Sequence, residues 1–333
     1  MVDIVRGLMQ RNSRNKTLKE HLGELKAHAI TAKSKDDINR VAQHITQFSK
    51  RNAYSFNHSL AIVGLGLAVL CILLSFWTQM DLSYDQRIWM RIGGFIVGVA
   101  CIANIWIRIA SIKSIGDQLY VRAVAINAGM ERDYAFNGKS YWQELKTIFP
   151  LFNCGDESQS ITKRYLCGVD STPLTLFEFK YVNVSTQHTT DSNGNSRTSK
   201  TRSTHYKYGM LVQFIDFNYL SLNAKRFETK WDSASRAFNK LYKVRCASEI
   251  QAAKFFDPKV VLAFTDKYNF IKSMDVNTQS VACFELPKGV FPTQVKKPSL
   301  RKPADFVQKL QQPTRIPMLE DAKRLIQFIN ENK

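Results

Sequence analysis

Apolar residues are concentrated in two neighbouring runs in the first third of the chain. Ser59–Met80 has no charged side chain, and Ile88–Ala110 has an apolar body, Ile92–Ile107, in which Asn104 is the one polar residue. A membrane-spanning helix needs about 20 mostly apolar residues to cross about 30 Å of hydrocarbon. Because both runs reach that length, the pattern predicts a two-helix transmembrane hairpin. The alternative is a buried helical hairpin in a soluble core.

The ends of the two runs carry residues that suit a membrane boundary. Trp77, Trp89 and Trp106 lie near the ends, where indole rings favour the interface. Arg91 and Arg108 flank the second run and can reach lipid headgroups. Small residues let helices approach closely, within one chain or between copies, so a homo-oligomer is among the predicted partners. The glycines concerned are Gly64, Gly66, Gly93, Gly94 and Gly98.

The charges that flank the runs predict an orientation. The connecting stretch carries Asp81, Asp85 and Arg87 and is not basic, whereas Arg108 and Lys113 follow the second run. Cytoplasmic flanks are enriched in Lys and Arg. The segment before the first run is basic through Lys16, Lys19, Lys26, Lys33, Lys35, Arg40, Lys50 and Arg51. The sequence therefore predicts a multi-pass protein of the cell inner membrane with both termini in the cytoplasm.

Changes in pattern divide the chain into five segments. The segments are residues 1–58 with cytoplasmic amphipathic helices, 59–110 with the transmembrane hairpin, 111–150 with linking helices, 151–286 with a cytoplasmic α+β domain, and 287–333 with a Pro/Lys-rich tail and a short helix. Recurring prolines and basic residues predict that 287–317 is extended and partly ordered.

Helix-start signals appear twice in the first segment. Thr17–Glu20 and Ser34–Asp37 both have the form of a capping box, so each is predicted to open an amphipathic helix. These helices pack against other elements or lie on a membrane surface. His21, His28 and His44 do not have the spacing of a metal site, so they are predicted to be solvated.

The period of the pattern changes to two in the fourth segment. Residues 175–181 alternate as a strand, and 206–217 read as its partner across a polar, glycine-containing tip. Residues 238–247 are predicted as a strand, 257–268 as a helix with an Asp-Pro start, and 270–286 as a closing hairpin. Hairpin-linked strands mixed with helices predict an α+β fold with an antiparallel sheet.

The net charge of the chain, +19, favours an acidic partner. In the polar hairpin, Arg197, Lys200, Arg202 and Lys207 are candidate contacts for lipid headgroups or a protein partner; the alternative is a solvated loop. Basic residues are spread along the chain without a recognisable nucleic-acid-binding motif, so the lipid bilayer is the favoured partner and nucleic acid is not.

The sequence contains no recognisable catalytic motif. There is no GxSxG, no GxxxxGK[ST] and no HExxH, and the six cysteines form no CxxC pair, so we predict reduced thiols and no cofactor or metal. His188 and His205 flank the hairpin tip and could face each other across it. Carboxylates that could do acid–base work if two of them met are Asp216, Asp257, Asp266 and Asp275.

Residues 236–286 resemble a bacterial family called Domain of Unknown Function 3137. The family's strand ending in an aromatic-x-Val pattern corresponds to 242–244, and its polar turn corresponds to 248–249. Its short helix corresponds to 251–255, and its helix start to 256–258. The resemblance implies a membrane hairpin followed by a cytoplasmic domain, and it implies no activity.

These observations favour a membrane-anchored binding or scaffolding protein with a cytoplasmic interaction domain, with the bilayer and a protein as partners. One alternative is a membrane-associated enzyme or lipid sensor whose site is formed by scattered residues. Another is a small channel or transporter subunit, although two spans whose bodies contain little polar besides Asn104 would make a poor pore.

Overall fold

The structure is a computed structural model that describes residues 2–77, 83–190, 196–214, 219–224 and 226–332, with the backbone alone for 2–12, 190, 196 and 197. The chain divides into two compact units. Unit 1 comprises Met1–Val124 and Lys296–Pro313, and unit 2 comprises Ala125–Val295 and Thr314–Lys333. The predicted tail, 287–333, is therefore shared between the two units.

The described residues form ten α-helices and three short 3₁₀ turns. The helices are α1 (Val2–Thr31), α2 (Lys35–Ser49), α3 (Ser59–Leu74), α4 (Tyr84–Asn127), α5 (Gly138–Ile148), α6 (Arg236–Leu241), α7 (Glu249–Phe255), α8 (Pro258–Asp266), α9 (Pro303–Gln311) and α10 (Pro317–Glu331). The 3₁₀ turns are Pro150–Phe152, Lys288–Val290 and Pro292–Gln294.

The start of α2 is the capping box that the sequence predicts. The Asp37 amide donates to Ser34 Oγ over 3.1 Å, and the Ser34 amide donates to Asp37 Oδ2 over 3.0 Å. The prediction for Thr17 is wrong, because α1 begins at Val2 and already includes this residue. The Thr17 hydroxyl donates back to the carbonyl of Ser13, over 3.1 Å, as threonines inside helices often do.

The end of α1 is held by a side chain from α4. Arg122 is buried, and its Nε donates to the carbonyl oxygen of Ala32 over 2.7 Å. A cation at this position complements the negative end of the helix dipole. The bond fixes the turn between α1 and α2 against α4, so the helices of unit 1 form one packed body.

The tail contributes a helix to unit 1. Residues 303–311 form α9, which packs on α2 and buries Phe306 and Leu310. The prediction of an extended segment over 287–317 is therefore wrong for this part. Pro303 stands in the first turn of α9, where its missing N–H costs no hydrogen bond. The prolines that suggested an extended chain thus include one that begins a helix.

Among the described residues, α4 is the one helix long and apolar enough to cross a membrane. It has 44 residues, and only 6% of its most apolar 18-residue window is buried. In contrast, α3 has 16 residues, or about 24 Å at 1.5 Å per residue, which is short of the hydrocarbon thickness. The predicted multi-pass inner-membrane topology with both termini in the cytoplasm is therefore wrong. Residues 78–82, which the first span and the loop included, lie outside the described residues.

Glycines set the packing of α3 on α4. A Cβ at Gly94 would lie 2.9 Å from the carbonyl oxygen of Ala68 and 2.9 Å from a side-chain carbon of Ile72. A Cβ at Gly64 would lie 2.9 Å from Cys101 Sγ. At such distances only glycine lets the two backbones approach this closely.

Unit 2 is built on one antiparallel sheet of nine strands among the described residues, so the predicted α+β class with an antiparallel sheet is confirmed. The strands are β1 (Glu131–Asp133), β2 (Glu157–Val169), β3 (Thr172–Thr190), β4 (Ser196–Gln213), β5 (Leu220–Leu222), β6 (Thr229–Trp231), β7 (Val244–Cys246), β8 (Ser273–Val276) and β9 (Val281–Leu286). Their order is β1-β2-β3-β4-β9-β8-β5-β7-β6. The predicted hairpin over 270–286 is confirmed as β8 and β9.

The hairpin of β3 and β4 is longer than its sequence pattern indicates. The pairing runs from Leu174 opposite Val212 to Thr190 opposite Ser196. The polar stretch that suggested a loop is therefore mostly strand. Its many threonines explain this result, because β-branched side chains favour strands even where both faces are polar.

Residues 238–247 are only partly the strand that we predicted. The first half belongs to α6, whose N-cap Ser235 accepts a hydrogen bond from the amide of Phe238 over 3.3 Å. The second half is β7. Ser235 lies before the predicted strand and caps a helix there, so the first half of the range is helical.

One hydrophobic core cluster of unit 2 lies where α5 and the first 3₁₀ turn cover one face of the sheet. Trp142 and Phe152 from this cover pack with Phe177 and Phe179 from β3. The indole N–H of Trp142 donates to the carbonyl of Phe152 over 3.2 Å, so its buried polar atom is satisfied.

The predicted cap of α8 gives a first test of the fold. Asp257 Oδ1 accepts a hydrogen bond from the amide of Val260 over 2.8 Å, whereas the N-cap of α7, Ser248, makes no such side-chain bond. Asp257→Ala is therefore expected to lower the free energy of unfolding by about 1 kcal/mol. Ser248→Ala is the control and should change the free energy of unfolding by no more than a few tenths of about 1 kcal/mol. Urea unfolding of both variants measures the difference, and equal effects would contradict the cap assignment.

The contact between α3 and α4 gives a second test. The sulfur of Gly64→Cys would lie within bonding distance of Cys101 Sγ, so mild oxidation is expected to link the two helices. Gly66→Cys is the matched control, because a Cβ there meets nothing within 4 Å. The linked peptide is detected by mass spectrometry after digestion. A link in the Gly66 variant instead would show that α3 lies on α4 in another register.

Candidate functional site

A basic pocket of unit 1 lies between α1 and α4 and has a volume of about 850 Å³. Among the described residues that line it, four are cationic and none is acidic. The cations are Lys16, Lys19, Lys26 and Arg108. A pocket of this size holds a small organic ligand, and its charge selects an anion.

The lysines of the pocket share one face of α1. Lys16, Lys19, Gly23 and Lys26 follow at spacings of three, four and three residues, which place them in one stripe. A Cβ at Gly23 would meet nothing within 4 Å, so the stripe has a gap at its centre. The adjacent face of α1 is buried through Leu18, Leu22 and Leu25, and Leu22 also lines the pocket.

Arg108 is held at the rim of the pocket by the segment that precedes α3. Its guanidinium lies 5.6 Å from the ring centre of Phe56, and one nitrogen donates to the carbonyl of Asn57 over 3.5 Å. Asn57 is fixed in turn, because its amide donates to Asn15 Oδ1 over 2.8 Å and its carbonyl accepts from Asn15 Nδ2 over 3.1 Å. The charge of Arg108 is therefore positioned before any ligand binds.

A second cavity, of about 390 Å³, adjoins the basic pocket. The two cavities share Asn15, Asn104 and Arg108. The lining of the second cavity is mostly apolar and comes from α3 and α4 through Leu60, Ala61, Val97, Ala100 and Cys101. The combined cleft therefore changes from basic to apolar along its length.

The four basic residues predicted from the β3–β4 hairpin do not form one patch. Successive side chains on a strand point to opposite faces, so Lys200 and Arg202 share one face and Lys207 lies on the other. Arg202 pairs with Glu157 over 2.9 Å, and Lys200 is exposed. The side chain of Arg197 lies outside the described residues.

Lys207 belongs to the covered face of the sheet. Its Nζ lies 3.9 Å from Glu285 Oε2 and donates to the carbonyl of Leu151 over 3.5 Å. Nearby, burial raises the pKa of the Cys154 thiol, although Lys207 opposes the shift. Lys207 thus contacts the first 3₁₀ turn, and its role as a headgroup or partner contact stays a prediction.

The other residues singled out in the sequence have separate positions in the part of the chain that the structure describes. His188 lies opposite Thr198 and His205 opposite Tyr181, so the predicted pairing of the two histidines is wrong. Asp257 caps α8 as predicted, Asp266 ends that helix, and Asp216 lies outside the described residues.

Asp275 is buried in the sheet of unit 2 and pairs with Arg226. Oδ2 of the carboxylate lies 2.7 Å from a guanidinium nitrogen, and that nitrogen also donates to the carbonyl of Ile148 over 2.6 Å. Burial raises the pKa of Asp275, and Arg226 counteracts part of that shift. The pair joins β8 to the end of α5, which is a structural role.

A cluster of histidines joins α1 to α2, and the sequence analysis missed it. His21 is 5% exposed, so the prediction that it is solvated is wrong. In the described part of the chain, His21, Glu24 and His44 form the one group of His, Cys, Asp and Glu residues close enough to share a metal ion. The sequence contains part of the evidence for this cluster, because His21 and Glu24 are three residues apart on one helix face. The position of His44 depends on how α2 folds back.

No family model, no curated protein and no solved structure matches this chain. The resemblance of residues 236–286 to Domain of Unknown Function 3137 therefore stays a prediction.

The gap at Gly23 gives a test of the pocket's geometry. Gly23→Ala is expected to raise the melting temperature, because alanine favours a helix by up to about 1 kcal/mol over glycine and its Cβ meets no atom. Gly116→Ala on α4 is the control, because its Cβ would press on the Cβ of Leu300 at 3.0 Å, and a smaller gain or a loss is expected. Circular dichroism in detergent measures both. A loss of stability on Gly23→Ala would mean that the pocket is closed at this position.

Proposed function

We propose that this protein is a membrane-anchored binding protein whose unit 1 pocket binds the phosphate-bearing headgroup of an anionic lipid. The observation that carries the proposal is the position of the basic pocket, which opens beside the apolar part of α4. The anchor is α4 with its exposed apolar surface. A protein partner for unit 2 stays a prediction from the sequence.

The exposed surface of α3 and α4 supports the anchor. Contiguous exposed apolar surface of this kind is rare in soluble monomers and marks contact with a membrane or another protein. The large exposed apolar side chains include Leu60, Ile62, Val63, Leu67, Leu73, Phe76, Trp77, Trp89, Phe95, Ile96, Ile102 and Trp106. A bilayer would cover them without requiring a complementary protein surface.

The position of the pocket along α4 suits a lipid headgroup. Trp106 is 70% exposed and lies next to Ile107, a lining residue, at the end of the apolar run. Indole rings prefer the headgroup level of a membrane. The pocket and its four cations would then stand at the depth where lipid phosphates occur.

The charge of the pocket selects an anionic lipid. Each Lys or Arg near an anionic membrane surface contributes about 1 kcal/mol of attraction. Arg108 can bind two phosphate oxygens through its planar guanidinium, and the three lysines act as point charges around it. Arg108 is already oriented by Asn57 and Phe56, so little side-chain entropy is lost on binding.

The adjoining cavity would hold the start of an acyl chain. Its apolar lining begins at Asn104 and Arg108, which also line the basic pocket. A bound lipid could therefore place its phosphate on the lysines of α1 and a chain between α3 and α4. A soluble phosphate compound would use only the first of these two cavities.

The lysines of the pocket provide the test. Lys16→Gln/Lys19→Gln/Lys26→Gln removes three exposed charges and is expected to weaken phosphatidylglycerol binding at least tenfold, from about 1 kcal/mol per charge. Lys33→Gln/Lys35→Gln/Lys50→Gln is the matched control, because these exposed lysines belong to the same unit and do not line the pocket. Native mass spectrometry of the full chain in detergent counts the bound lipids, with phosphatidylcholine as the neutral comparison.

Three outcomes would overturn the proposal. Equal losses in the two triple variants would mean that net charge, and not the pocket, attracts the lipid. Equal binding of phosphatidylcholine would remove the role of the phosphate charge. Binding of soluble glycerol phosphate as tightly as phosphatidylglycerol, with the same dependence on the lysines, would make the ligand a soluble anion and not a lipid.

A further inference from the structure

Three potential ligand atoms meet between α1 and α2, away from the lysine stripe of α1. His21 Nδ1 lies 3.8 Å from Glu24 Oε2, and His44 Nε2 lies 3.9 Å from the same oxygen. All three atoms lie within 4.8 Å of one another. Zinc binds imidazole nitrogen at about 2.0–2.1 Å and carboxylate oxygen at similar distances, so its ligands lie about 3.3 Å apart. The three atoms therefore need only small movements to enclose an ion.

The sequence brings these atoms together through a short turn. The capping box of Ser34 starts α2 directly after α1 ends, so α2 returns along α1. His21 and Glu24 lie three residues apart on α1 and face the same neighbour. His44, in the second half of α2, then reaches them, with its ring centre 5.0 Å from that of His21.

His21 is oriented as a ligand by contacts with two aromatic side chains, the half-buried Phe48 and the buried Tyr54. Its ring stacks on Phe48 at 3.9 Å between centres, with an angle of 1° between planes. Its Nε2 lies 2.7 Å from the hydroxyl of Tyr54, which is 2% exposed. When Nε2–H donates to this hydroxyl, Nδ1 presents a lone pair toward Glu24 and His44. Histidine ligands of metals commonly have such a partner on the second nitrogen.

Burial, with the nearby His44 as a smaller cause, lowers the pKa of His21 to about 4, and burial raises the pKa of the Tyr54 phenol.

We propose that His21, Glu24 and His44 bind a divalent transition-metal ion of the zinc type. Two imidazole nitrogens and one carboxylate oxygen match the ligand preference of Zn²⁺, whereas Mg²⁺ and Ca²⁺ prefer sites made of oxygen alone. Glu24 is 59% exposed and His44 is 44% exposed, so an ion can enter from solvent and keep one open position. This site is independent of the proposed lipid pocket.

Little holds the outer two ligands in their present positions. His44 Nδ1 has no hydrogen-bond partner among the described residues, so no hydrogen bond at that nitrogen keeps the ring from turning toward the ion. Glu24 can rotate because most of its side chain is in solvent. His21, in contrast, is fixed, and the other two would close onto it. The bound ion would link α1 to α2 through side chains of both helices.

The test is metal binding by the full chain, purified in detergent without a histidine tag. One Zn²⁺ per chain is expected, and Co²⁺ in its place is expected to give the visible absorption bands of a low-coordinate site. His44→Gln and Glu24→Gln each remove one exposed ligand and are expected to weaken Zn²⁺ binding at least about tenfold, since loss of a supporting partner alone costs 10–100-fold. His188→Gln is the control, because His188 is an exposed histidine on the hairpin of unit 2.

Circular dichroism establishes that each variant is folded before its affinity is compared. Tyr54→Phe keeps the ring and removes only the hydroxyl beside His21, so it should weaken binding while leaving the stoichiometry at one. Binding that is equally weakened by His188→Gln, or unchanged in both ligand variants, would overturn the proposal. Absence of stoichiometric Zn²⁺ and Co²⁺ from the folded wild-type chain would also overturn it.

Discussion

The exposed apolar surface of α4 is the constraint on which unit 1 depends. Contiguous apolar surface of this size is rarely left in contact with water. Neighbouring elements bury only 6% of the most apolar 18-residue window of α4. The packing of α3 through Gly64 and Gly94 covers part of one side only. The basic residues of α1 and the rim residue Arg108 then lie beside the apolar zone, where they meet the anions that a membrane would supply. The proposed membrane anchor and the proposed lipid ligand therefore both rest on this helix.

Local signals in the sequence predicted local structure well. The capping box of Ser34 and Asp37, the Asp-Pro start of α8 and the closing hairpin of β8 and β9 are confirmed. Each of these depends on residues within a few positions of one another. The same reasoning was wrong at Thr17, because a capping box can also occur inside a helix that the surrounding chain extends.

Features that depend on distant residues could not be predicted in this way. The helix α9 is stabilised by packing on α2, far away in sequence, and the recurring prolines of residues 287–317 suggested an extended chain. The cluster of His21, Glu24 and His44 depends on the return of α2 along α1. The length of α3 was overestimated because composition does not reveal where a helix ends. Charge alone also placed Lys207 at a surface site, although it packs against the first 3₁₀ turn.

The continuity of α4 has a mechanical consequence. Its 44 residues extend about 66 Å, roughly twice the hydrocarbon thickness, and they contain no proline at which the helix could bend. If its apolar half lies in a bilayer, the remaining half is a rigid extension of the same rod. A change in the tilt of α4, caused for example by a thinner membrane, would then displace Arg122. The α1–α2 turn would move with it, because Arg122 is hydrogen-bonded to that turn. The helix would act as a lever that reports membrane thickness to the rest of unit 1.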